Sequence, residues 1–238
     1  MRISAVIPAL NEGEAIGGLV VHLSHEVDEV IVVDGGSTDE TAGRAQTAGA
    51  RVILADGSSR AVALNAGAAA ATGEIVYFVH ADTLPPRGFA ADIRSAVARG
   101  AGAGCFRMRF DSHHWLLCLS SWCTRFDVGL IRFGDQSLFV HRELYQAIGG
   151  FDERLAVMED YEIVRRLRRR ARFAIVPRPV TTSARRYRER GVYRLQLVIY
   201  PLVVALYHAG VAPPRLMRIY TRLLDPERAR RNRPYSAS

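Results

Sequence analysis

Lysine is absent. All 32 basic residues of this 238-residue chain are arginines, so chemistry built on a lysine Schiff base or a P-loop lysine is excluded. Cysteine is scarce. Cys105, Cys118 and Cys123 are an odd number without zinc-ligand spacing, which fits free thiols in a reducing compartment better than a disulfide framework. Long apolar runs are lacking too. The longest, Leu195 to Ala212, is interrupted by Gln196, Pro201, His208 and Gly210 and falls short of the ~20 uninterrupted residues of a membrane-spanning helix. The opening Met1–Pro8 stretch is broken too early by proline for a signal peptide and reads as a strand. Together these absences predict a cytoplasmic protein, with contact at the inner face of the membrane left open.

What is present is an ordinary folding composition, 49% hydrophobic and 24% charged, which excludes disorder and fibrous repeats. The formal net charge of +8 suits an anionic partner: a nucleotide, an acidic membrane surface or nucleic acid. The first hundred residues alternate short β-branched runs with helical periodicity. Strands are expected at Ile3–Ile7, Glu29–Val33, Arg51–Leu54 and Glu74–Val79. Helices are expected at Glu14–Val27, Thr38–Ala48 and the alanine-rich Ser58–Ala71. Continuous apolar strands joined by crossover helices imply a parallel sheet covered on both faces, with ligands beyond the carboxyl ends of the strands. Further on, strands are expected at Gly102–Phe110 and Ser137–His141, helices at Glu143–Ile148 and Tyr161–Arg172, and a helix kinked at Pro201 over Tyr193–Ala209. No internal repeat or linker-like composition break is visible. The reading is one α/β domain over 1–190 with a helical extension over 191–238.

The residues able to do chemistry fall at the expected strand ends. After the first strand comes Pro8-Ala-Leu10-Asn11-Glu12, with Asn11 placed as a helix N-cap. After the second comes Asp34-Gly35-Gly-Ser37-Thr-Asp39-Glu40-Thr. Ser37 and Glu40 have capping-box spacing there, and Asp34 is left over to accept from a base or ribose. After the third, Arg60 could match pyrophosphate oxygens bidentately, and Asn65 shares its helix. After the fourth come His80-Ala81-Asp82, where an acid can share a divalent ion held mostly by phosphate. Later, Gly134-Asp135-Gln136 precedes a strand, Gly149-Gly150-Phe151 follows a helix, and Glu159-Asp160 opens the arginine-rich helix. The pair Glu162 and Arg166 has i,i+4 spacing in that helix.

Order and spacing of these segments resemble a family 2 glycosyltransferase with the nucleotide-diphospho-sugar (GT-A) fold, over residues 1 to 190. The resemblance is to the short bacterial members, some of them linked to sugar conjugates of arsenic or selenium metabolism. It implies a mostly parallel Rossmann-like sheet flanked by helices. It also implies a nucleotide-sugar site built from Pro8, Leu10, Glu12, Asp34, Gly35, Ser37, Arg60, Asn65, Ala81 and Asp82, with Arg185 and Arg186 downstream. Gly134, Asp135, Gln136, Gly149 and Gly150 are implied on the acceptor side. Asp82 would contact a divalent metal, Mg²⁺ or Mn²⁺. His80 stands where the family often has the first aspartate of its D-x-D element, and is a second candidate ligand. Glu159 and Asp160 would form the catalytic pair, with Asp160 as general base in an inverting displacement from a UDP-sugar to a hydroxyl acceptor. The runner-up activities are transfer to a polyprenyl phosphate at the membrane face and sugar-phosphate nucleotidyl transfer. The latter would want a glycine-rich loop after the first strand, where Pro8-Ala-Leu-Asn-Glu stands. Nucleic-acid binding is not expected, because solvated helix faces account for the arginine runs. For the apolar segment Leu195–Ala209, packing or homodimerisation is the first expectation and peripheral membrane contact the second.

Overall fold

The strands consist of residues that favour a pleated, twice-covered surface. A computed structural model describes residues 1–55, 57, 59–126 and 136–224. Its first unit comprises residues 1–153 and 159–183 and contains an eight-stranded sheet in the order β3-β2-β1-β4-β7-β6-β8-β5. The strands are β1 (Ile3–Ala9), β2 (Glu29–Asp34), β3 (Arg51–Leu54), β4 (Ile75–Phe78), β5 (Thr83–Leu84), β6 (Ala103–Phe110), β7 (Leu138–His141) and β8 (Phe173–Thr182). β1, β2 and β4 are buried along almost their whole length, as apolar runs without alternation require, whereas β3 has its ends exposed because it is an edge. Each fully buried Ile or Val contributes about 1.5–3 kcal/mol relative to exposure.

Pairing is parallel for β1 with β2, β1 with β4 and β2 with β3. It is parallel again for β6 with β8. β7 runs antiparallel between β4 and β6, and β5 antiparallel to β8. The helices of this unit are α1 (Gly13–Ser24), α2 (Thr41–Thr47), α3 (Arg60–Ala70), α4 (Phe89–Ala98), α5 (Trp115–Cys123), α6 (Arg142–Ala147) and α7 (Glu159–Arg170). α3 crosses the sheet closely because its residues are small. A Cβ on Gly67 would lie 2.3 Å from a methyl of Val6, so a glycine there lets the helix approach β1. β8 is the element that the sequence hid. Pro177 and Pro179 interrupt it, and its register against β6 shifts between Phe106 and Arg107. Proline cannot donate to a ladder, so the strand carries an irregularity where those residues lie.

Two local expectations about helix starts are corrected. Ser37 and Glu40 do not form a capping box. α2 begins three residues later than expected, at Thr41, its backbone NH bonded to Asp39 (3.0 Å), while Glu40 pairs with Arg44 one turn on (2.9 Å). Asn11 does not cap α1 either. Its backbone is left-handed (φ 55°), and its Oδ1 accepts from the Thr38 NH (2.9 Å) across to the next loop. The two loops after β1 and β2 bind each other and so fix both helix starts.

The second unit comprises residues 154–158 and the chain from 184 onward. It contains α8 (Arg185–Arg190), a π-helical stretch Arg194–Ile199, α9 (Tyr200–His208) and α10 (Pro213–Leu224). Where a kink at Pro201 was expected, the chain has this π-helical stretch. It stands just before the proline that opens α9, where the ring would obstruct regular α pairing.

Candidate active site

β1 lies between β2 and β4, so the loops after these three strands open side by side. Neighbouring strands are ~4.8 Å apart, a spacing that one nucleoside diphosphate can bridge. Asp34 ends β2 opposite Ala9 and is buried. Its carboxylate accepts from the Ser37 hydroxyl and, at 3.2 Å, from the Ser37 NH. Ser37 Oγ in turn accepts from the Asn11 NH (2.9 Å). The Gly35 NH donates to the Ala9 carbonyl (2.9 Å), and it is Gly36 that takes the left-handed backbone (φ 92°). Asp39 is exposed but engaged with the neighbouring helix starts. It accepts from Thr41 and from the Gly13 NH (3.0 Å), and the Thr41 hydroxyl leads the hydrogen bonds holding its carboxyl below the ordinary carboxylate value. Glu12 is tied through its own NH to Thr41 Oγ1 (2.9 Å). Pro8 and Glu12 are half-buried, and Leu10 is exposed at the loop tip.

His80, Ala81 and Asp82 lie beyond the end of β4 in a turn rather than along the strand. Alternation along a strand therefore does not orient them. The turn is anchored to β8: the Ser183 NH donates to the Asp82 carbonyl (3.0 Å), and the hydroxyls of Thr83 and Thr182 share a hydrogen bond of 2.6 Å. Ala81 is buried, whereas the Asp82 side chain remains half-buried with Thr83 at 3.4 Å from one oxygen.

The central cluster joins segments a hundred residues apart. α3 starts at Arg60 because Ser59 caps it, accepting from the Val62 NH (3.4 Å). α7 starts with Glu159 and Asp160, acids that its N-terminal dipole favours, and ends in Arg168, Arg169 and Arg170, which suit its other end. Arg60 Nη1 lies 3.4 Å from Glu159 Oε1 and 3.5 Å from Asp160 Oδ2. Glu159 is only 4% exposed. Burial, and then the Asp160 charge beside it, push its carboxyl up to about 7, against the opposing pull of Arg60 and of His80. His80 thus belongs electrostatically with Glu159. Among the described residues no three His, Cys, Asp or Glu side chains converge on a metal-binding point. A set of one carboxylate with phosphate oxygens completing the shell suits Mg²⁺ or Mn²⁺, and Asp82 has the chemistry for that single protein ligand.

The Gly149–Gly150–Phe151 turn is built from both sides. Asn65 on α3 has its amide fully engaged. Its oxygen accepts from the Tyr145 hydroxyl and the Phe151 NH (2.9 Å), while its nitrogen donates to the Phe151 carbonyl (3.0 Å) and to Glu153 (2.9 Å). Asn65, expected in the nucleotide-sugar site, thus holds this turn. From α7, Arg166 pairs with Glu162 (2.7 Å) and donates to the carbonyls of Ile148 (2.6 Å) and Gly150 (2.7 Å). Both glycines have positive φ, 78° and 67°, and a Cβ on Gly150 would meet Asn65 at 2.7 Å. The Glu162–Arg166 spacing was visible in the sequence, but the turn that it clamps was not, and nothing in the sequence marked Tyr145. Asn65→Ala should destabilise the protein by about 2–4 kcal/mol, because it orphans the Phe151 NH and the Tyr145 hydroxyl. Urea unfolding checks this, with a lowered midpoint and an unchanged m expected.

Gln136 is buried, with the Cys105 thiol 3.4 Å from its side-chain oxygen, so it lines the interior where an acceptor-side contact was expected. Gly134 and Asp135 lie outside the described residues. Arg185 and Arg186, expected downstream in the nucleotide-sugar site, open α8 in the second unit, both exposed.

A mostly parallel sheet curled between helices, with acids after β2 and β4, defines the GT-A class of nucleotide-sugar transferase folds. Residues 4–119 match the family model for glycosyl transferase family 2. Similar solved structures include a mannosyltransferase from Pyrobaculum calidifontis in complex with GDP-Man and Mn²⁺. Its TM-score is 0.67 at 22% identity, covering 93% of this chain and 69% of that one. Glucosyl-3-phosphoglycerate synthase from Mycobacterium tuberculosis, in complex with Mn²⁺, UDP and phosphoglyceric acid, has a TM-score of 0.62 at 23% identity, covering 88% and 79%. In sequence, the glucosyl-3-phosphoglycerate synthase of Mycolicibacterium smegmatis is 42% identical over 96 residues, 35% of this chain and 32% of that protein. The match thus spans about a third of the curated relatives' length.

Proposed function

We propose that the protein transfers a glycosyl group from a nucleoside-diphosphate sugar to a hydroxyl acceptor with inversion at the anomeric carbon. The observation that carries this reading is the meeting of Arg60 with Glu159 and Asp160, in the unit where Asp34 ends β2 and Asp82 follows β4, on either side of β1. The family-model match over residues 4–119 and the two structural relatives solved with a nucleotide and Mn²⁺ support it. A UDP-sugar is the expected donor, as in the synthase complexes with UDP-Glc. The post-β1 loop Pro8–Glu12 argues against nucleotidyl transfer, since no glycine there lets a phosphate approach the backbone.

Asp160 is the general base. It takes the acceptor hydroxyl's proton as that oxygen bonds to the anomeric carbon, while the bond to the diphosphate oxygen breaks and the nucleoside diphosphate leaves. Its side chain is 15% exposed, open enough to reach an acceptor, and Arg60 Nη1 lies 3.5 Å from it. Protonated Glu159 keeps a second negative charge away from the base below about pH 7. Asp34 and Ser37 present acceptor atoms to the base or ribose, and Asp82 would hold the divalent cation, which offsets charge on the leaving diphosphate. The Gly149–Phe151 turn, fixed by Asn65 and Arg166, shapes the acceptor side, so that much of the acceleration is positioning.

The test is a thermal-shift series with UDP-, GDP- and dTDP-sugars, each with Mg²⁺, Mn²⁺ or a chelator. One UDP-sugar is expected to stabilise the protein only when metal is present, and Asp82→Ala should remove that stabilisation. Metal-independent binding that survives Asp82→Ala would overturn the assignment of the cation to Asp82.

A further inference from the structure

The second unit contains a surface that the proposed chemistry does not use. From Leu195 to Tyr207 there is no charged residue. One face of this stretch packs inward through Leu195, Ile199 and Val203, together with Leu216 of α10, and the single amide, Gln196, donates to the Tyr187 hydroxyl (3.1 Å). The other face is equally apolar but turned out: Tyr193 is 52% exposed, Leu197 58%, Val198 55% and Leu202 39%. Pro201 and Ala205 are exposed with them. A helix on a water-facing surface normally puts polar residues there, and a contiguous outward apolar face marks an interaction site.

Charge identifies the occupant. Between Ala184 and Leu224 the sequence has eight arginines and a single acid, Glu189. Arg190 and Arg194 donate to the carbonyls of Leu224 and Leu223, each at 2.6 Å, which ties the end of α10 back to the π-helical stretch. Arg215, Arg218 and Arg222 recur along α10 and are exposed. A second copy of the chain would bring two such arginine-rich surfaces together, an unfavourable meeting of like charge. An anionic lipid surface offers apolar depth to the outward face and phosphate to the arginines. Crossing the bilayer is a different matter, because no helix among the described residues is long and apolar enough.

We infer that the second unit docks in the plane of a membrane rich in anionic phospholipid. Leu197, Val198, Pro201 and Leu202 enter the boundary between headgroups and acyl chains, and Arg215, Arg218 and Arg222 meet the headgroups. The inference does not rest on the identity of the sugar or acceptor. It is tested by flotation of the full chain with vesicles of phosphatidylcholine alone or mixed with phosphatidylglycerol, at low and high salt.

Binding is expected only to the mixed vesicles and should weaken with salt. Arg215→Ser/Arg218→Ser/Arg222→Ser should lower the partition coefficient by on the order of a hundredfold, and Leu197→Glu/Leu202→Glu should abolish flotation. All substituted side chains are exposed, so unchanged melting temperatures in the absence of lipid check that the variants fold. Failure to float with mixed vesicles overturns the inference. So does equal binding to the uncharged vesicles, or a dimer in lipid-free solution that Leu197→Glu/Leu202→Glu splits, which would make this face a contact between copies.

Discussion

Asp160→Asn should bind the nucleotide-sugar with metal as the unaltered protein does, yet lower the transfer rate by on the order of 10²–10⁴-fold. The substitution keeps the side chain's shape and removes only its capacity to take a proton. Asp160 lies at the start of α7, 3.5 Å from Arg60, so asparagine can still accept from the guanidinium and the helix start should persist. Single-turnover kinetics with saturating donor separate the two steps. The expected pattern is an unchanged donor affinity with a reduced kcat. Normal turnover in the variant would show that another group takes the acceptor's proton.

Arg60→Gln is expected to have the second large effect, and to depend on pH. Burial and Asp160 already lift Glu159 to about 7 from an ordinary value of 4.5, with Arg60 pulling the other way. A carboxyl whose pKa is raised in the folded state binds protons there more tightly than in the unfolded chain. Its contribution to stability is whole below about pH 4.5 and is lost as pH rises through about 7. Without Arg60 the folded-state value rises further, so the loss extends to higher pH. The melting temperature of Arg60→Gln should therefore fall well below that of the unaltered protein above about pH 7 and approach it in acid. Glu159→Gln, which has no such proton to release, should flatten the pH dependence over the same window. Transfer should fall in Arg60→Gln as well, since the proposed base loses its adjacent cation. A pH-independent difference in melting temperature would mean that Arg60 acts through packing alone.

The parallel half of the sheet could be read directly from the chain. Ile3–Ile7, Glu29–Val33 and Arg51–Leu54 are apolar because both of their faces are covered, and their order with intervening helices leaves few topologies. Elements whose residues contradict their conformation were not legible. β8 carries two prolines, and β5 is two residues long and exists only because it pairs with β8. The helix starts were displaced for a related reason. Ser37, Asn11 and Asp39 have the side chains of caps, but they spend them between neighbouring loops, a choice that local spacing does not reveal.

By itself the sequence determined which chemistry this protein could and could not perform. A chain without lysine, with acids and an arginine at successive strand ends, has the groups to hold a nucleotide-sugar and excludes an amine nucleophile. It also determined that the strands would be buried, because the period and composition of a strand encode its burial. Only the tertiary structure decided which of those groups act together. Arg60 meets Glu159 and Asp160 across about a hundred residues of sequence, and Asn65 holds a turn because Phe151 and Tyr145 fold against it. Electrostatic and hydrogen-bond energies depend on distance in space, and packing two helices over one sheet sets those distances without leaving a trace in local pattern.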